Sequence, residues 1–117
     1  MKLRIDMPDG SSWMVPVEVI ALNRAKHFAH EYDGDVMASL KDDTAPLFES
    51  DTFEIEDWAA NNMDWEEVEP YAFEWLRPSE PADYQEGWVN GHKEIEGDRV
   101  VDIALARRQL EAEKKRA

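Results

Sequence analysis

Lys2-Leu3-Arg4-Ile5-Asp6-Met7-Pro8-Asp9-Gly10-Ser11-Ser12-Trp13-Met14-Val15-Pro16-Val17 is the stretch whose reading decides the fold class. Leu3, Ile5 and Met7 alternate with Lys2, Arg4 and Asp6, the period of two that marks a half-buried strand. Pro8-Asp9-Gly10 is a turn: proline presets φ and glycine accepts positive φ. Trp13-Met14-Val15 returns as a second strand, so residues 2–15 read as a hairpin. Pro16 suits the first position of a helix, where its missing N–H costs nothing. Val17, Ile20, Ala21, Ala25, Phe28 and Tyr32 then form one helical stripe, and Gly34 stops the helix near residue 32.

Downstream, Asp35 can cap a short helix to about Lys41, which Thr44-Ala45-Pro46 breaks. A helix over about 54–62 places Ile55, Trp58, Ala59 and Asn62 on one face. Asp64-x-x-Glu67 is a capping-box variant opening a turn at Trp65–Val68, which Pro70 ends. Tyr71-Ala72-Phe73-Glu74-Trp75-Leu76 alternates as a strand, and 78–81 is a loop. Asn90-Gly91 is a two-residue hairpin signal. Asp102 to Ala117 is helix-prone, with Ile103, Ala106 and Leu110 on a thin stripe and a basic end that suits the macrodipole. The expectation is an α+β fold in one domain over 1–117: a small antiparallel sheet, the N-terminal hairpin plus later strands, packed by three to four helices. The tail from about 112 is expected to fray.

Composition narrows the function. The 117 residues carry 27 acids, 13 bases, three histidines and no cysteine, for a formal net charge of −14. Apolar residues make up 43% and tryptophans number five, too many for a wholly disordered chain. Without cysteine there are no disulfides, zinc–thiolate sites or thiol nucleophiles. No apolar run approaches a membrane span, and Asp6 follows the N-terminus too soon for a secretory signal, so the expected address is the cytoplasm. The charge argues against direct contact with nucleic acid or an anionic membrane.

The charge is also segregated. Residues 31–86 hold 18 acids against Lys41 and Arg77, giving −16, whereas the remainder is +2. Such a surface either keeps the protein soluble or engages a basic partner. Duplex DNA carries one charge per roughly 1.7 Å, so the phosphates of about 27 Å of duplex would match this charge. Asp42, Asp43, Glu54, Glu56, Asp57, Asp64, Glu66, Glu67 and Glu69 are the candidate phosphate substitutes, with Trp58 and Trp65 as anchors. The competing reading of the tryptophans, including Trp75 and Trp88, is that they fill the core.

Catalytic motifs are sparse. There is no nucleophile elbow, P-loop or dinucleotide fingerprint, and no catalytic residue or cofactor is assigned. His27, His30 and Glu31 can share a helical face as metal ligands, with His92 or an acid as a further donor. However, their order is not the zincin pattern, and a His27–Glu31 surface pair explains them as well. Counting an EF-hand loop from Asp33 puts Ala38 and Thr44 where glycine and glutamate belong, so that motif fails.

Val15-Pro16-Val17-Glu18-Val19-Ile20-Ala21 and Asp51-Thr52-Phe53-Glu54-Ile55-Glu56-Asp57-Trp58-Ala59-Ala60-Asn61-Asn62-Met63-Asp64-Trp65 give residues 13–66 a texture that resembles small acidic proteins encoded by bacteriophages and prophages. The resemblance implies a role in host takeover or counter-defence, acting inside a bacterial host. The leading expectation is therefore a non-enzymatic decoy that occludes a basic surface of a nucleic-acid-handling protein, of the anti-restriction or anti-CRISPR type. The alternatives are an accessory or assembly protein with an apolar partner interface, and a metal-dependent enzyme using His27, His30 and Glu31.

Overall fold

The computed structural model describes residues 1–76, 84–96 and 101–116. Strands β1 (Lys2–Asp6) and β2 (Ser12–Pro16) form the expected hairpin, with Leu3 opposite Val15 and Ile5 opposite Trp13. Its turn is closed by the Gly10 N–H donating to the Met7 carbonyl at 3.0 Å, and the Asp9 carboxylate accepts from the Ser11 N–H at 2.9 Å. Strand β3 (Phe73–Leu76) pairs with β2, and β4 (Lys93–Glu96) pairs with β1. All pairings are antiparallel and the order is β3-β2-β1-β4. The fold is α+β.

Helix α1 (Val17–Phe28) is the central element. Val17, Val19, Ile20, Ala21, Leu22 and Ala25 are all buried, a wider apolar face than one stripe. Pro16 sits one residue before the helix, with ψ 130°, because it still pairs with Lys2 in the sheet. A 3-10 turn (Ala29–Tyr32) follows. Asp33 (φ 55°) and Gly34 (φ 83°) then reverse the chain in the left-handed region, which glycine enters without a Cβ clash.

Asp35 caps α2 (Val36–Ser39), accepting from the Ala38 N–H at 3.1 Å. The expected break at Thr44-Ala45-Pro46 does not occur. Instead α2 passes through a π turn (Leu40–Thr44) directly into α3 (Ala45–Ser50). The Ala45 N–H reaches back five residues to the Leu40 carbonyl. The widened turn relieves the clash that a proline ring makes with the carbonyl four residues earlier, so Pro46 is carried inside a helical run.

Helix α4 (Phe53–Asn62) turns Ile55 and Ala59 into the core. Helix α5 (Trp65–Val68) opens without the expected Asp64–Glu67 box. Gln85 does the capping instead: its Oε1 accepts from the Trp65 N–H at 2.6 Å and its Nε2 donates to Asp64 Oδ1 at 3.2 Å. A 3-10 turn (Glu69–Tyr71) follows at Pro70.

Asn90-Gly91 is not a hairpin turn. It ends a helix, α6 (Tyr84–Asn90), that leads into β4. Helix α7 (Ile103–Arg116) packs on α1 through buried Ala106 and half-buried Ile103 and Leu110. Glu18, only 1% exposed, accepts from the Asp102 N–H at 3.0 Å, so a buried carboxylate of α1 meets the N-terminus of α7. The residues read as a frayed tail are helical to Arg116, and Glu113 pairs with Lys26 of α1. The 78–81 loop lies outside the described residues.

Candidate functional site

Of the fifteen acids between 31 and 86 whose side chains are described, none is buried. Twelve are exposed, and only Asp43, Glu54 and Glu56 are half-buried. The two buried acids of the described chain, Asp9 and Glu18, lie outside this stretch. The middle of the chain therefore keeps its apolar residues for the core and turns its carboxylates to water, as expected from the cost of burying an unpaired charge.

Acids from two elements converge at one place. Partial burial, followed by the charges of Asp43, Asp42 and Glu31, raises the Tyr32 hydroxyl above its ordinary range, with Arg24 pulling the other way. Arg24 organises this corner. Its Nη1 donates to Asp43 Oδ2 and to Thr44 Oγ1, both at 2.9 Å. Its guanidinium lies 4.7 Å from the Phe28 ring centroid and 5.8 Å from that of Trp58. Asp43 is therefore an internal partner that ties the π turn to α1, whereas Asp42 faces solvent. Replacing Arg24 with alanine removes the donor to Thr44, which is fully buried. We expect a loss of about 2 kcal/mol in denaturant unfolding, and Arg24→Met should recover only the packing part.

The tryptophan anchors require correction. Trp65 is 4% exposed. It stacks edge-on with Trp13 at 5.3 Å and lies 6.1 Å from Trp88, so it belongs to a core row and cannot serve as a surface anchor. Trp58 is half-buried, with its Nε1 donating to Asn23 Oδ1 at 2.8 Å and its ring against His27 and Phe28. Trp88 is fully buried, and the side chain of Trp75 lies outside the described residues.

The histidine cluster does not assemble a metal centre. His27 packs edge-on against Phe28 and Trp58, and His30 Nδ1 is 3.2 Å from the His27 carbonyl. Among the described residues, no group of three or more histidines and acids could hold a metal ion.

The described residues line clefts in the surface, among them the following. One, of about 300 Å³, is floored by Val19 and Met63 and rimmed by Lys26, Glu67 and Glu113. The other, of about 230 Å³, lies between α4 and the α6–β4 connection. Phe53, Glu56, Asp57 and Ala60 form its α4 wall, facing Val89 and Lys93. Lys93 is held in the facing wall, its Nζ donating to the carbonyls of Val89 (3.0 Å) and Gly91 (3.2 Å). Burial lowers its proton affinity, and the nearby Glu56 charge acts in the opposite direction. Phe53 is 61% exposed, the most exposed large apolar side chain among the described residues. The sequence reading did not single it out, although its helical phase, about 200° from Ile55, places it opposite the core face.

Among the described residues, no helix is long and apolar enough to cross a membrane. In comparisons with protein-family models, curated proteins and solved structures, none matches the chain.

Proposed function

We propose that this is a non-enzymatic binding protein whose acidic surface occupies a basic, nucleic-acid-binding surface of a protein partner inside a bacterial host, in the manner of phage-encoded decoys. The observation that carries the reading is the segregation of charge: −16 on residues 31–86, with every described acid of that stretch exposed or half-buried. Self-repulsion of this kind opposes folding, and a basic partner would relieve it. The longest dimension of 46 Å exceeds the roughly 27 Å of duplex that the charge would match.

Asp42, Asp57, Asp64, Glu66, Glu67 and Glu69 are the leading phosphate substitutes, because they are exposed. Glu54 and Glu56 contribute from half-buried positions. Asp43 is set apart by its pairing with Arg24.

The test is a tagged pull-down from bacterial lysate, eluted in salt steps, beside a variant carrying Asp42→Lys, Glu66→Lys, Glu67→Lys and Glu69→Lys. We expect release of a nucleic-acid-handling protein at moderate salt and loss of capture by the variant, whose substitutions all fall at exposed positions. Capture that survives both high salt and charge reversal would overturn the reading in favour of an accessory protein with an apolar interface.

A further inference from the structure

The cleft beside α4 combines features that a merely solubilising surface does not need. Phe53, Glu56, Asp57 and Ala60 follow one another at i, i+3, i+4 and i+7, so they line a single face of the helix, opposite Ile55 and Ala59. That face pairs an exposed aromatic ring with two carboxylates, and across it stands a half-apolar wall of Val89 and Lys93. The Lys93 ammonium is engaged by two backbone carbonyls at the end of α6, so it forms part of the wall. Asp57 Oδ1 accepts from Asn61 Nδ2 at 3.0 Å, one turn along the same helix, which orients the carboxylate.

We infer that this cleft receives an arginine side chain projecting from the partner's basic surface. Its guanidinium would lie on the Phe53 ring with its N–H groups directed at Glu56 and Asp57. Two carboxylates against one ammonium already engaged by backbone carbonyls favour a cationic over an anionic occupant, and the exposed ring gives a flat, weakly hydrated guanidinium an advantage over a compact ammonium. The inference rests on the decoy reading and adds a side-chain preference and an anchor to it.

The experiment uses blocked hexa-arginine and hexa-lysine peptides of equal charge, titrated into isotopically labelled protein while amide resonances are followed. Shifts should concentrate at Phe53, Glu56, Asp57, Ala60 and Lys93 and saturate. Hexa-arginine should bind tighter by about two- to five-fold. Phe53→Ala should erase that margin without weakening hexa-lysine; at 61% exposure the ring can be removed without opening the core. Equal affinities with shifts spread over the whole acidic surface would overturn the cleft assignment while leaving the decoy reading intact. Failure of both peptides to bind at low salt would remove both.

Discussion

Replacing Trp88 with alanine should cost about 3–5 kcal/mol and lower the denaturation midpoint steeply. Trp88 is the largest fully buried side chain among the described residues, and it lies on a helix of only seven residues. Its indole packs beside Trp65, and its Nε1 donates to the carbonyls of Ala59 (3.1 Å) and Met63 (3.2 Å). The Ala59 carbonyl, in the last turn of α4, also accepts from the Met63 N–H at 3.3 Å, and Met63 follows the helix directly, so the ring both fills the core and ties down the C-terminal end of a neighbouring helix. Trp88→Phe should recover much of the packing but not the donor, leaving a deficit of about 1–3 kcal/mol. Chemical denaturation followed by circular dichroism separates the two variants. A midpoint for Trp88→Ala within error of the parent would contradict the packing described.

Gly91→Ala is the second large effect, and it contrasts with its neighbour. A Cβ at Gly91 would lie 2.3 Å from the Asp6 carbonyl oxygen and 2.4 Å from that of Gly87. Both obstacles are backbone, so β1 or α6 must move as a whole. We expect a loss of 3 kcal/mol or more, at about the upper end for overpacking. Asn90 is exposed, and its side-chain amide donates to Glu86 Oε1 at 3.4 Å, so Asn90→Ala should change stability by less than about 0.5 kcal/mol. A type I′ hairpin would suffer from both substitutions, because both central residues need positive φ. The thermal midpoints of the two single variants therefore distinguish a close backbone approach from a turn requirement.

That contrast shows where sequence reading succeeded and where it stopped. The first hairpin, α1, α4 and the strand near Phe73 were legible because their signals are local: alternation, a helical period, a turn dipeptide. Asn90-Gly91 misled because a glycine selected for contact with Asp6, 85 positions away in the chain, looks identical to one selected for a turn. The same reason hid the Gln85 cap on α5 and the bonds from Arg24 to the π turn, all spanning nineteen residues or more. At the candidate surface, charge segregation was visible as composition, and the structure adds that the carboxylates face outward. Tryptophans draw the eye for their size, but Trp65 joined the core, while the smaller Phe53 was left outside by helical phase.

The π turn at Leu40–Thr44 has one more consequence, for chain length. It holds one residue more than a regular helical turn, and with it Leu40 at its start and Phe48 beyond it, both fully buried, can face the same way although they are eight positions apart. In an unbroken α-helix eight positions would set them about 80° apart, whereas seven would leave them within about 20°. Deleting a single exposed residue here, such as Lys41, should therefore let a standard hydrogen-bond ladder form with Phe48 still in the core, although the Pro46 ring would again press on a carbonyl one turn back. At this place the molecule should accept the loss of one residue that would throw a regular helix out of phase.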